Sequence, residues 1–119
     1  MDEKWEQDFE WLKVRHYVKD AIGKNDLPDL QTILFLIGVQ ELGMLQTSFT
    51  KEEKQDLMHI AVCTLLSEDG YYDFKGNDQD GWPHWEKNRT IQKISLEEQE
   101  NLLIEKTINY FNKSNNETN

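Results

Sequence analysis

The segment from Gly70 to Glu86, GYYDFKGNDQDGWPHWE, most constrains what this chain can fold into. It contains five aromatic residues, three glycines and one proline, and Lys75 is its only lysine or arginine. Glycine and proline at this density interrupt a helix, whereas the aromatic content is too high for a solvated linker. The sequence therefore predicts a loop or a short hairpin here, with strands at 71–74 and 82–86 across a turn at 76–81.

Hydrophobic spacing predicts four helices around this segment, at about 2–22, 29–45, 51–67 and 95–112. The first helix carries two apolar stripes, one through Trp5, Phe9, Leu12 and His16 and the other through Trp11, Val14, Val18 and Ile22. The second helix has almost no polar face, so it is expected at the buried centre of the fold. Within it, Gly38 is expected to permit a close helix crossing and Gly43 to begin the exit from the helix.

Two capping boxes define the starts of the last two helices. Thr50 is followed by Glu53, and Ser95 by Glu98, which is the spacing at which a hydroxyl and a carboxylate satisfy two backbone N–H groups reciprocally. At the other end of the first helix, Gly23 is a plausible C-terminal glycine.

A chain of 119 residues is the size of one domain. We expect a mainly α, compact four-helix domain at residues 1–112, with the hairpin or loop between helices three and four, and a disordered polar tail at 113–119. The element order fits a winged-helix-like arrangement, and a plain four-helix bundle with an irregular aromatic insertion fits it equally well.

Charge and composition indicate which kinds of partner to expect and in which compartment the protein works. The formal net charge is -10, which repels phosphate backbones, so we expect no nucleic acid as partner and a protein with a basic or apolar surface instead. The longest apolar run, Ile33–Val39, is far shorter than the roughly 20 residues of a membrane span, so membrane insertion is not expected. Cys63 is the only cysteine and the N-terminus has no apolar signal segment, which together predict a cytoplasmic protein.

The order of the motifs ILFLIGVQELG, FTKEEKQDLMHIAVCTLL, GYYDFKG and DGWPHW resembles a set of short uncharacterised bacterial proteins. The resemblance covers roughly residues 5 to 111. It implies a cytosolic bacterial protein, and it assigns no functional residue.

The aromatic–acidic segment is the predicted partner-binding surface, since tryptophan and tyrosine are favoured at binding hot spots. The candidate residues are Tyr71, Tyr72, Phe74, Asp78, Asp80, Trp82, His84 and Trp85. A second candidate patch consists of Trp5 and Trp11, through which the chain could form a homodimer. Core filling is the competing interpretation for the tryptophans, and it stays open at this point.

A different constellation lies on the third helix, where Glu52, Asp56, His59 and Cys63 gather near one face. A carboxylate, an imidazole and a thiol are the ingredients of a zinc site or an activated thiolate, although a buried free cysteine is the more frequent case. The Asp-rich turn departs from the calcium-loop register at Gly76 and Lys87. Catalytic motifs are otherwise missing, so no metal site, no cofactor and no enzymatic activity is expected.

The sequence thus favours a non-enzymatic protein–protein interaction module or accessory subunit that docks through the aromatic–acidic hairpin. One alternative is a winged-helix-like regulator with weak or no DNA binding. Another is a small metal-dependent enzyme that uses the Asp56, His59 and Cys63 face.

Overall fold

Four α-helices and one antiparallel hairpin make up the described part of the chain, residues 3–44, 46, 48–88 and 94–117 of a computed structural model. The elements in chain order are α1 (Glu3–Ile22), α2 (Leu30–Leu42), α3 (Lys51–Leu66), a short 3₁₀ turn (Ser67–Asp69), β1 (Tyr72–Asn77), β2 (Pro83–Lys87) and α4 (Leu96–Glu117). The predicted fold class is confirmed: the chain is mainly helical, and a hairpin separates the third helix from the fourth.

Two predicted boundaries are wrong by a few residues. Helix α2 ends at Leu42 rather than near residue 45. Gly43, which follows it with a left-handed φ of 68°, begins the exit from the helix as predicted. Helix α4 continues to Glu117, five residues beyond its predicted end, so most of the tail predicted as disordered at 113–119 has helical backbone. Residues 118 and 119 of that tail lie outside the described residues.

The predicted caps are confirmed at atomic detail. The Thr50 hydroxyl accepts from the Glu53 N–H at 3.1 Å, and the Glu53 carboxylate accepts from the Thr50 N–H at 2.9 Å. The hydrogen bond from the Thr50 N–H is the main cause of the lowered pKa of Glu53. Ser95 and Glu98 make the same pair of bonds at 3.1 and 3.2 Å. At the end of α1, Gly23 has a φ of 71° and takes the predicted C-terminal position.

Contacts divide the chain into two compact units, residues 1–30 with 94–119 and residues 31–93. The single domain predicted at 1–112 stays a prediction. In the first unit, α1 and α4 run in the same direction, since Gln7 donates to the Asn101 carbonyl and Tyr17 meets Phe111 edge-to-face ten residues further along each helix.

The two apolar stripes of α1 have different environments. Val14 and Val18 from one stripe are buried and Trp11 is partly buried. Trp5 and Phe9 from the other stripe are exposed and stack with ring centroids 5.9 Å apart, Trp5 being 60% exposed. The tryptophans of the second predicted patch therefore lie on different sides of α1 and do not form one surface.

The second unit is built around the apolar helix α2 and around α3. Its core cluster consists of Leu42, Leu57 and Ile60, with Phe35, Val39, Phe49 and Trp82 packed against it. The ring of Phe35 meets that of Phe49 edge-to-face at 5.8 Å. The last of these aromatic residues, Trp82, comes from the hairpin, so the core cluster is also where the hairpin is attached.

Helix α2 crosses α3 closely at Gly38, as predicted. A Cβ atom built on Gly38 would collide with the backbone carbonyl of Leu57, which is itself fully buried. Backbone atoms cannot move aside as the end of a flexible side chain can, so only glycine fits at this position.

The substitution Gly38→Ala tests this crossing. Alanine in an exposed helical position would stabilise a helix by about 1 kcal/mol relative to glycine. Here we expect the opposite sign, a loss of about 2–3 kcal/mol in the free energy of unfolding, because the new methyl group separates the two helices. Urea unfolding of G38A measures it, with Gln40→Ala at an exposed position of the same helix as the control. A G38A protein as stable as the parent would contradict the crossing.

Candidate functional site

The hairpin that follows α3 is regular near its open end and irregular near its turn. Tyr72 is opposite Lys87, and Phe74 is opposite Trp85, whereas Asn77 is opposite Pro83. The register shifts between Phe74 and Asn77, where Gly76 has a left-handed φ of 97°. A bulge of this kind increases the local twist and bends the strand, which here sets the direction of the turn.

Asp78 organises the turn. One of its carboxylate oxygens accepts from the backbone N–H groups of Asp80 and Trp82 at 2.9 and 3.0 Å. The other oxygen lies 2.9 Å from Nε2 of His84. The bond to His84, and next the Trp82 N–H, lower the pKa of Asp78 below its ordinary value.

The aromatic residues of the hairpin divide between the core and the surface. Trp82 packs against the core cluster but keeps part of its ring exposed. Phe74 is 53% exposed, and its ring lies 5.3 Å from that of Trp85, which is partly buried. At the start of β1, the ring of Tyr72 meets that of His59 of α3 edge-to-face, with the ring centroids 6.1 Å apart. Contacts at Tyr72 and Trp82 thus hold the hairpin against α3.

A cleft of about 450 Å³ opens between α3 and the hairpin, and we call it the hairpin cleft. Its helix wall is formed by Glu53, Asp56, His59 and Ile60. Its hairpin wall is formed by Asp78, Asp80, Trp82, Pro83, His84 and Trp85. The volume falls in the range of about 300–1,000 Å³ that is typical of ligand sites.

The charges in the hairpin cleft are predominantly negative. Four carboxylates line it, and no lysine or arginine does among the residues that the structure describes. Asp78 is engaged with His84, and Glu53 with the start of α3. The carboxylates of Asp56 and Asp80 have no hydrogen bond or ion pair with any other described side chain. Two negative charges in the cleft are therefore unmatched within the described residues.

The indole N–H of Trp85 is a second unmatched group. Its nitrogen is enclosed by protein and has no hydrogen-bond acceptor in the described part of the chain. A buried donor without a partner costs about 1–3 kcal/mol, and native proteins contain few of them. Trp85, which lines the hairpin cleft, thus carries a buried donor that finds no acceptor among the described residues.

Only some residues of the alternative metal or thiolate constellation on α3 lie close to one another. Sγ of Cys63 lies 3.5 Å from Nε2 of His59, but Cys63 is fully buried, and burial raises its pKa to about 11. Burial, followed by the neighbouring Cys63, also raises the pKa of Tyr72. Asp56 lines the cleft, whereas Cys63 does not. Among the described residues, no three His, Cys, Asp or Glu side chains converge on a point where a metal ion would fit.

Five of the eight predicted partner-binding residues line the hairpin cleft, namely Asp78, Asp80, Trp82, His84 and Trp85. Phe74 lies beside it through its contact with Trp85, and Tyr72 faces α3. Tyr71 is partly buried at the base of the hairpin, where its carbonyl accepts from the Asn88 N–H. The sequence assigns Asp56 and His59 of the helix wall only to the alternative metal or thiolate constellation. It does not link them to the hairpin, because that link depends on the packing of Trp82 and Tyr72.

No family model, curated protein or solved structure matches this chain. The resemblance to short bacterial proteins therefore stays a prediction. In the part of the chain that the structure describes, no helix is both long enough and apolar enough to cross a membrane.

The turn should make stability depend on pH in the acid range. The pKa of Asp78 in the folded chain lies below its ordinary value of 3.8, so its contribution is present above that pH and is lost as the pH falls through the folded pKa. Asp78→Asn replaces the carboxylate by an amide, which does not ionise, so this contribution to stability no longer depends on pH. We expect the free energy of unfolding of D78N to fall less steeply below pH 3.8 than that of the parent, as measured by urea unfolding.

His84→Gln provides the matched control for this prediction. It removes the largest cause of the lowered pKa of Asp78 and leaves the two backbone donors. That pKa, followed by carboxyl carbon NMR, should therefore rise relative to the parent but stay below its ordinary value. Identical acid slopes for the parent and D78N would mean that Asp78 does not organise the turn.

Proposed function

We propose that this chain is a non-enzymatic interaction module, or accessory subunit, that docks onto another protein through the hairpin and its cleft. The observation that carries the proposal is the exposed Phe74 ring in contact with Trp85 at the edge of a concave site. Aromatic anchors beside a pocket are the usual composition of an interaction hot spot.

The shape of the hairpin adds support. It has two strands, each of which pairs only with the other, so both outer edges keep unpaired backbone groups in the described structure. Its exposed residues include Asp73 and Glu86, which are opposite each other despite their like charge. Like charges in direct opposition are unfavourable. Lys75 lies 3.9 Å from the Glu86 carboxylate and offsets part of this repulsion, and a basic partner surface would offset the rest.

A non-enzymatic role in the bacterial cytoplasm is part of the proposal. The thiol of Cys63, the most reactive group of the helix-three alternative, is buried and has a raised pKa, whereas nucleophilic and metal-binding cysteines act as thiolates. Cys63 is also a free cysteine, as expected in a reducing compartment. The resemblance to short bacterial proteins points to the same setting.

The test uses Phe74 rather than the tryptophans, because Trp82 is also part of the core packing. A photoreactive phenylalanine analogue at position 74 should cross-link the partner in the native cell, and mass spectrometry then identifies it. With the purified partner, we expect Phe74→Ala to weaken binding about tenfold or more by calorimetry, as loss of a hot-spot ring does. Circular dichroism should remain unchanged, since the ring is half exposed.

Phe9→Ala is the matched control. Phe9 has the same side chain and a similar exposed fraction, but it lies on α1 beside Trp5. Binding that survives F74A and is lost in F9A would move the docking surface to α1 and overturn the proposal.

A further inference from the structure

The hairpin cleft has walls of two chemical kinds, and together they define what it can bind. Two indole side chains, Trp82 and Trp85, line it together with four carboxylates. A cation over an indole face is attracted by the ring quadrupole, and nearby carboxylates add charge-assisted hydrogen bonds. An anion would meet the carboxylates at close range, and a neutral apolar group would leave them unmatched.

We propose that the hairpin cleft binds an arginine side chain of the protein partner, with its guanidinium between Asp56 and Asp80 and against the indole rings. The inference rests on the proposed function, because it names the partner chemistry for the same site. Arginine fits better than lysine, since its planar fork presents five donors along several edges and also stacks on aromatic faces. The two carboxylates stand on opposite walls, which suits a donor group that bonds along more than one edge.

A peptide that carries this arginine also complements the second unmatched group. Its main-chain carbonyls are acceptors of the kind that the Trp85 N–H lacks in the described part of the chain. Side-chain rotations are common when interfaces form, and a rotation of this ring would bring its N–H to the peptide. The cleft volume of about 450 Å³ leaves room for one long side chain and a stretch of main chain.

The overall charge of the chain favours the same partner chemistry. With a net charge of -10, the protein attracts basic segments over a distance of about 10 Å at moderate salt. This long-range attraction is shared by the whole surface, whereas the indole contacts belong to the cleft alone. The test therefore has to separate local recognition from general charge attraction.

The probe is a blocked pentapeptide of glycines with one central arginine, and the control ligand is the same peptide with citrulline, which is similar in shape but neutral. In NMR titrations of the full-length ¹⁵N-labelled chain, we expect saturable shifts of the Trp82 and Trp85 indole N–H signals with the arginine peptide only. Signals of Trp5 and Trp11 should not move. Equal shifts with the citrulline peptide, shifts at all four indoles, or no saturable shift would each overturn the inference.

Two double variants distinguish binding in the cleft from attraction by the overall negative charge. Asp56→Asn with Asp80→Asn should weaken arginine-peptide binding about fivefold or more, as the loss of two ion pairs implies. Asp8→Asn with Asp26→Asn removes the same charge from exposed positions that do not line the cleft, so its affinity should stay within twofold of the parent. Equal losses in both variants would reduce the effect to general charge attraction and overturn the inference.

Failure of this inference can be told from failure of the proposed function. If partner binding depends on Phe74 but is unchanged in D56N/D80N, the hairpin is the docking surface and the arginine is not its ligand. If the arginine peptide binds in the cleft while F74A leaves partner binding intact, the cleft recognises arginine, but docking of the partner through the hairpin surface fails.

Discussion

The packing of Trp82 against Leu42, Leu57 and Ile60 is the interaction on which the candidate site depends. A two-stranded hairpin is at best marginally stable by itself in water, so its position has to come from contacts outside the sheet. Trp82 supplies one of these contacts through the core cluster, and the edge-to-face pair of Tyr72 with His59 supplies another. The hairpin cleft exists because both contacts hold the strands beside α3 and leave the space between them open.

Residues that stabilise the hairpin also line the candidate site. Asp78 stabilises the turn through two backbone donors, and it also fixes His84 on the wall of the cleft. Trp82 is anchored in the core on one side and is exposed to the cleft on the other. Trp85 leaves its N–H without an acceptor within the described residues, a local cost that a binding partner could offset. Sites of recognition are where such unsatisfied groups are expected.

Local chemistry made much of the fold predictable. The capping boxes at Thr50 and Ser95 depend on contacts three residues apart, and glycine at position 38 follows from the apolar character of α2 around it. Gly43 marks the end of α2 in the sequence. The end of α4 has no such mark, because the polar residues after Asn112 are compatible with a helix but show no hydrophobic pattern.

The candidate site was predictable only on its hairpin side. Aromatic and acidic residues close together in sequence indicated Trp82, Trp85 and Asp80. Asp56 and His59 were noticed for a different reason, as part of a metal or thiolate constellation, and the raised pKa of Cys63 argues against that chemistry. Their place in a cleft depends on a long-range contact between α3 and the hairpin, for which a single sequence contains no local signal.

The central claim is that Trp82 packs against the core cluster, and proton–proton NOEs measure this packing most directly. With methyl-labelled leucine and isoleucine, the indole of Trp82 should give cross-peaks to methyl groups of the cluster formed by Leu42, Leu57 and Ile60. At the same time, its signal should respond to a soluble paramagnetic probe, because part of the ring is exposed. An indole with no NOE to these methyl groups would show that the hairpin is not held on α3, and the cleft would then have no structural basis.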